Sequence, residues 1–328
     1  MSKLVTIYGG SGFVGRYIAR RMAQAGWRVR VAVRRPNEAL HVKPYGTVGQ
    51  VEPVLCNIRD DASVRSVMQG ADAVVNCVGI LVESGRNKFS DVQAEGAGRI
   101  ARIAAEQGVE KLVHISAIGA DKNSPSLYQQ SKAKGEALVM QHFENAVILR
   151  PSVVFGPEDQ FFNRFAAMAR FSLFLPLVGP NTRFQPVYVE DVATAAAKAL
   201  TGDVAPGVYE LGGPDVATFR ELMTLMLAEI RRKGVSLPIP FPIASLVGGA
   251  LDALQTVTLG LFTNSVLTRD QVRNLRRDNV VSPDARGLEA FGVTPTPMTT
   301  VLPSYLWVHR PGGQYKAIHE SAARLRKE

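Results

Sequence analysis

A chain of 328 residues, 46% hydrophobic and 20% charged, is long and apolar enough for a large core, which excludes a disordered chain and suits one large domain with a smaller one beside it. The formal net charge of +9 suits an anionic membrane surface, an acidic partner subunit or simple solubility, and alone decides among none of them; nucleic acid is not expected, because no recognition motif accompanies the charge. Cys56 and Cys77 fall in apolar runs, which predicts buried, reduced thiols, and no His/Cys cluster has metal-ligand spacing, so no metal is expected.

Leu4 to Tyr8 is a β-branched apolar run that reads as a first strand. It predicts a chain without an N-terminal leader, bacterial and cytosolic or already processed. Gly9, Gly12 and Gly15 follow, around Ser11, Phe13 and Val14; then Ile18, Ala19 and Met22 recur at helical spacing. Strand, glycine turn and helix are the context of a phosphate cradle: Gly9 permits the turn, Gly12 admits a pyrophosphate and Gly15 lets helix and strand pack. The Gly-x-x-Gly-x-x-Gly spacing, with an aromatic residue after the second glycine, resembles the extended and atypical short-chain dehydrogenase/reductases.

Trp27 to Val33 reads as the second strand, ended by Arg34-Arg35-Pro36. An NAD-specific site carries an acidic residue here for the ribose 2′-hydroxyl. Arg34 and Arg35 would instead bind a 2′-phosphate, so NADP(H) is expected over NAD(H). Val51 to Ile58 reads as a third strand, with Asn57-Ile58-Arg59-Asp60 at the place where the family closes its adenine pocket and usually has Asp where Asn57 stands. Ala62 to Met68 reads as a short helix. Ala73 to Ile80 reads as a fourth strand containing Cys77, Val78 and Gly79, where backbone passes close to the cofactor. A long helix follows over Ser90 to Gln107, then a fifth strand over Lys111 to Ile115 and a sixth over Ala146 to Val154. This alternation predicts an α/β fold: a Rossmann-type doubly wound parallel sheet with helices on both faces and a smaller C-terminal domain. The expected division is 1–156 with about 185–213 for the NADP(H)-binding domain, and about 157–184 with 214–328 for the smaller, partner-contacting one.

Tyr128-x-x-x-Lys132 opens a helix running to about Met140, with both side chains on one face. In the resembled family the lysine lowers the tyrosine pKa and bonds the nicotinamide ribose, and the tyrosine is the general acid or base. The family's hydroxyl just past the fifth strand is expected at Ala117 or Ile118; Ser116 comes early, and Gln93 stands near the place of the helical Asn. No catalytic residue is therefore assigned, and Tyr128 and Lys132 are expected as vestigial ribose anchors. The cofactor-binding set expected for NADPH is Gly9, Ser11, Gly12, Phe13, Val14, Gly15, Arg34, Arg35, Asn57, Ile58, Cys77, Val78, Gly79, Ser116, Tyr128, Lys132, Pro151, Ser152 and Val153.

In the distal half, RPSVVFGPEDQFFNRFA (from Arg150), Phe184 to Ala193, Tyr209 to Pro214, Asp270 to Ser282 and Pro303 to Tyr315 resemble the nucleotide-binding accessory subunits of respiratory complex I, the NADH:ubiquinone oxidoreductase. The resemblance covers nearly the whole chain. It implies NADPH held tightly as a structural element, other complex I subunits as partners near the junction of the peripheral and membrane arms, and no turnover. It places the chain peripherally on the cytoplasmic face of a bacterial inner membrane, or the matrix face if mitochondrial. The alternative is an NADP(H)-dependent reductase or epimerase acting on a small molecule. Between Lys233 and Arg269 only Asp252 is charged. Pro238, Pro240, Pro242 and Asp252 make a membrane span over 235–263 poor, leaving burial, partner contact or contact with the bilayer surface. The tail residues Lys316, Arg324, Arg326 and Lys327 are expected in solvent.

Overall fold

In the computed structural model, which describes residues 2–258, 264, 266–313 and 315, seven short apolar segments build one parallel sheet. They are β1 (Leu4–Tyr8), β2 (Arg28–Val33), β3 (Val51–Leu55), β4 (Ala73–Asn76), β5 (Lys111–Ile115), β6 (Val147–Pro151) and β7 (Gly207–Leu211). The α-helices are α1 (Phe13–Gln24), α2 (Asp61–Met68), α3 (Gly96–Glu106), α4 (Leu127–His142), α5 (Phe162–Met168), α6 (Val189–Thr201), α7 (Phe219–Glu229), α8 (Phe241–Val257), α9 (Arg269–Asn274) and α10 (Met298–Leu306).

The sheet order is β7-β6-β5-β4-β1-β2-β3 and every pairing is parallel. Parallel neighbours need crossovers, and the crossovers cover both faces. One face, with Ile7, Val29 and Val31, packs on Ile18 and Met22 of α1 and Val192 and Ala196 of α6. The other, with Tyr8, Val74 and Leu112, packs on Val64 of α2, Ile100 of α3 and Val139 of α4. This is the expected Rossmann-type doubly wound sheet. The chain winds away from β1 in one direction through β2 and β3 and in the other from β4 onward. A crevice therefore opens beyond the C-terminal ends of β1 and β4.

Three strands stop short of their apolar runs. β3 ends at Leu55, β4 at Asn76 and β6 at Pro151, whereas the runs continue to Ile58, Ile80 and Val154. The residues beyond β3 and β4 line the crevice instead of the sheet. Val154–Phe155 pairs separately with Val187–Tyr188. The long helix expected over 90–107 opens with a wider π-helical turn, Ser90–Glu95, before α3 begins.

A second core gathers Phe155, Phe162, Phe184, Leu222, Met226 and Leu302 from α5, α7, α10 and their connections. Beside it, Phe174–Val178 and Val235–Ile239 form a parallel ribbon. Leu288 and Phe291, from the C-terminal segment, pack instead with the first core. α8 buries only Ala244 and Gly248, while Ile243, Leu246, Val247, Leu254 and Val257 are exposed, so this part of the apolar stretch is not buried under the second core. Close packing fixes the inner face, since a Cβ on Gly248 would lie 2.9 Å from the Arg269 nitrogen. Asp252 accepts from Asn264 Nδ2 at 2.7 Å and from the Arg269 N–H at 2.9 Å, capping the start of α9. Among the described residues no helix is long and apolar enough to cross a membrane. Residues 259–263 and the tail positions Lys316, Arg324, Arg326 and Lys327 lie outside the described residues.

Candidate functional site

The turn after β1 is built from glycines for two steric reasons. Gly9 has φ +74°, a left-handed conformation that side chains rarely adopt. A Cβ on Gly15 would run into the Gly9 carbonyl oxygen and lie 2.8 Å from Gly10 Cα, so glycine lets α1 close on the turn. Gly12 is the N-cap of α1 and no side chain caps the helix, which leaves first-turn N–H groups without a side-chain acceptor. Phe13 and Val14 pack their side chains against the sheet core.

Beside this turn lies a cleft of about 750 Å³. Of the expected residues, Gly9, Ser11, Gly12, Arg34, Arg35, Asn57, Ile58, Cys77, Val78 and Gly79 line it together. Arg59, from the stretch expected at the adenine pocket, lines it too, as do Arg16, His41 and Asn87, which were not anticipated. The lining holds four arginines, Arg16, Arg34, Arg35 and Arg59, against one acid, Glu38. Arg35 pairs with Glu38 at 3.0 Å. Arg34 Nη1 donates to Asn87 Oδ1 at 3.2 Å, and Arg59 Nη1 to the Arg86 carbonyl at 2.8 Å. Asn57 Oδ1 accepts the Arg59 N–H at 3.2 Å, so this acceptor is engaged in its own turn. A crevice at the switch point, an uncapped helix start and a cationic rim form a donor set that fits an extended polyanion.

Lys132, buried on α4, does not line the cleft but reaches up behind Gly79, which does. Its Nζ donates to the Ile115 carbonyl at 3.2 Å, and a Cβ on Gly79 would lie 3.5 Å from it. Burial pulls the Lys132 pKa down to about 8, against the raising influence of Glu136 and Cys77. Burial likewise pushes the Cys77 thiol up to about 12, which makes it a poor nucleophile at neutral pH.

Tyr128 stands edge-on to Phe89 at 5.8 Å, and among the described residues its hydroxyl makes no hydrogen bond. Burial pushes its pKa up to about 12, whereas the resembled enzymes use the neighbouring lysine to lower it. Ser116 gives its hydroxyl to Glu136, which also accepts from Arg150 at 2.6 and 2.9 Å; Arg150 reaches Glu210 at 3.4 Å. Pro151 accepts the Ile118 N–H at 3.0 Å. Ser152 donates to Asn279 Oδ1 at 2.6 Å, and the Val153 N–H reaches the same oxygen at 3.1 Å. The hydroxyls of Ser116 and Ser152 are thus spent within the fold. Gln93 donates to the Ile80 carbonyl at 2.5 Å and accepts from Ser131 at 3.3 Å. The start of α4 is held by Asp270, which accepts from Ser126 Oγ at 2.7 Å and from the N–H groups of Leu127 and Tyr128 at 2.8 and 3.2 Å. No sequence signal places Asp270 there, 142 residues beyond Tyr128.

Residues 5–212 match the model of the NAD dependent epimerase/dehydratase family. The chain is 34% identical over 316 residues to NADH dehydrogenase [ubiquinone] 1 alpha subcomplex subunit 9 of Arabidopsis thaliana, covering 94% of this chain and 79% of that one. It is 30% identical over 259 residues to the ceramide reductase of Caulobacter vibrioides, covering 78% and 79%. Its fold matches the Thermus thermophilus UDP-glucose 4-epimerase, solved with NAD, with a TM-score of 0.66 at 20% identity over 92% of this chain and 97% of that one.

Proposed function

The chain belongs to the NAD dependent epimerase/dehydratase family and to the complex I subunit group within it, and from that premise we propose that it is an accessory subunit of respiratory complex I that holds NADPH as a structural element. The observation that carries the cofactor is the cleft: an uncapped helix start behind a glycine turn, with Arg34, Arg35 and Arg59 where a ribose 2′-phosphate would lie. Gly9, Ser11 and Gly12 would border the pyrophosphate. Asn57 and Ile58 would flank the adenine, and Lys132, beside Gly79, would anchor the nicotinamide ribose. Bound there, the nucleotide supplies charge and apolar surface that tie turn, helix and sheet together. It stabilises the folded chain by mass action in proportion to its occupancy.

The open apolar face of α8 is the surface we assign to partner subunits near the junction of the arms, next to the membrane surface. That places the subunit peripherally on the cytoplasmic face of a bacterial inner membrane, or on the matrix face in a mitochondrion. Non-catalytic holding is supported by the Ser116 hydroxyl spent on Glu136 and by the raised Tyr128 pKa.

The second reading, an NADP(H)-dependent reductase, is favoured by the Tyr128 hydroxyl, which no neighbour engages among the described residues, and by the similarity to a ceramide reductase. Tyr128→Phe separates the two. A general acid without its hydroxyl loses roughly 10²- to 10⁴-fold in rate. A holder loses at most one hydrogen bond, about 0.5–1.5 kcal/mol. The expected result is a variant chain that co-purifies with complex I, retains its nucleotide and leaves NADH:ubiquinone turnover nearly unchanged. A collapse of turnover with nucleotide fully bound would refute the holding role.

A further inference from the structure

Residues 81–89 connect the end of the β4 run to the π-helical turn at Ser90. They keep their shape by a small hairpin: Ser84 and Asn87 exchange backbone hydrogen bonds at 3.2 and 2.9 Å, and the Phe89 N–H donates to Glu83 Oε1 at 2.8 Å. Two cleft arginines grip this hairpin, Arg34 at the Asn87 side chain and Arg59 at the Arg86 carbonyl. The segment is held a third time from α8, where Gln255 Nε2 donates to the Glu83 carbonyl at 2.9 Å. Gln255 Oε1 meanwhile accepts the Asn264 N–H at 2.6 Å. Asn264 donates to Asp252, and Asp252 caps α9. A continuous hydrogen-bonded route thus runs from the cationic rim of the cleft to the helix pair whose outer face is apolar and open.

Resting on the NADPH reading, we infer that segment 81–89 is a strap that reads the 2′-phosphate through Arg34 and Arg59 and passes nucleotide occupancy to α8. Each guanidinium has five N–H donors and spends one atom, Nη1, on the strap. The remaining donors are free for a dianionic phosphate, which fixes both arginines and through them the hairpin. A dinucleotide with a plain 2′-hydroxyl fills the same cleft without engaging that grip. Gln255 then carries the difference to the last turn of α8, next to exposed Leu254 and Val257. The subunit's partner-facing surface is set by which nucleotide the cleft holds.

The strap supplies its own assay, because Arg86 and Lys88 are exposed tryptic sites. The full chain is saturated with NADP⁺ or with NAD⁺, binding is verified by calorimetry, and tryptic cleavage in the strap is timed alongside hydrogen exchange in 81–89 and 252–257. NADP⁺ is expected to slow strap cleavage roughly tenfold, the worth of one charge-assisted contact, and NAD⁺ to leave it near the unliganded rate. Gln255→Ala should still bind NADP⁺ and keep the strap protected, while the nucleotide no longer alters exchange in 252–257. Asn87→Ala should lose much of the strap protection with NADP⁺ still bound. Equal protection by the two bound nucleotides, or a nucleotide effect on 252–257 that survives Gln255→Ala, overturns the coupling and leaves the NADPH reading intact. Absence of NADP⁺ binding in calorimetry overturns both.

Discussion

Arg34→Asp tests the cationic rim most directly. Arg34 is exposed, and its hydrogen bond to a neighbouring side chain is the 3.2 Å contact to Asn87, so the substitution disturbs little of the core. For a nucleotide with a 2′-phosphate, the variant forfeits a charge-assisted contact worth about 1.5–3 kcal/mol. It also sets a carboxylate against a phosphate of roughly −1.5 to −2 charge. In water that repulsion is about 1 kcal/mol per pair of unit charges at 4 Å, so about 1.5–2 kcal/mol in all. Arg35 and Arg59 remain and offset part of the total. A net loss of about 2–4 kcal/mol follows, or roughly 30- to 1000-fold in Kd. NAD⁺ has no phosphate there and should change by no more than about 0.5 kcal/mol, the usual scale of a surface substitution. Both Kd values are measured by titration calorimetry on the same preparation, with Asn87→Ala as the control for losing only the tether. Equal losses for the two nucleotides would refute the assignment of Arg34 to the phosphate.

Gly15→Ala should cost about 1–3 kcal/mol in thermal unfolding and abolish nucleotide retention, because the added methyl collides with the Gly9 carbonyl and forces α1 off the turn; an unchanged Tm would show that the turn relaxes freely. Lys132→Met should stabilise the nucleotide-free chain near pH 7 and weaken nucleotide binding. The folded pKa of about 8 lies below the ordinary 10.5, so the unfolded chain holds more protons between pH 8 and 10.5 and wild-type stability rises with pH through that window. The cost of keeping Lys132 charged, of order 3 kcal/mol for a fall from 10.5 to about 8, is fully present below pH 8. The variant's advantage in urea denaturation should therefore shrink as pH approaches 10.5, and an advantage independent of pH would contradict this. Asp270→Ala should lower stability by about 1–2 kcal/mol through the lost cap of α4 and speed hydrogen exchange at 127–129 more than in β1.

The sheet and its glycine turn were legible because their signals are local. β1, the Gly9–Gly15 spacing and α1 are one continuous stretch, and Arg34 follows directly from the end of β2. The same apolar patterning overran the sheet at Asn57–Ile58 and Cys77–Ile80, because residues that line a cleft and residues that pair in a strand are equally apolar. The rest of the site was hidden for a different reason. Asn87 sits in a polar turn without periodicity, and its role appears only when the fold sets the ends of β2, β3 and β4 side by side. Ser116 looked like an early catalytic hydroxyl. Its partner Glu136 lies 20 residues on, and that pairing depends on how α4 packs. α8 read as ambiguous because a helix with Ala244 and Gly248 inward and leucines outward has the composition of a buried one.

The links between the sheet and segment 270–279 bear on what kind of protein this is. Asp270 holds the N-terminus of α4, Arg273 the Pro125 carbonyl at 3.2 Å, Arg277 the Asp121 carboxylate at 3.2 Å, and Asn279 both Ser152 and Val153. All of these partners lie in the loops or helix start that follow β5 and β6. The half-buried bonds of Asp270 and Asn279 oppose separation of segment and sheet, while the exposed Arg277–Asp121 pair adds little. An enzyme that turns over must open and close around its substrate, and gating segments are drawn from the weakly held parts of a fold. Here segment 270–279, which holds the helix start carrying Tyr128, is among the better tethered. The apolar surface left open lies elsewhere, on α8, where Leu246, Leu254 and Val257 are exposed. A tethered segment beyond β5 and β6 and an apolar helix face open to the outside support the proposed holding role, and Tyr128→Phe is the variant that tests it.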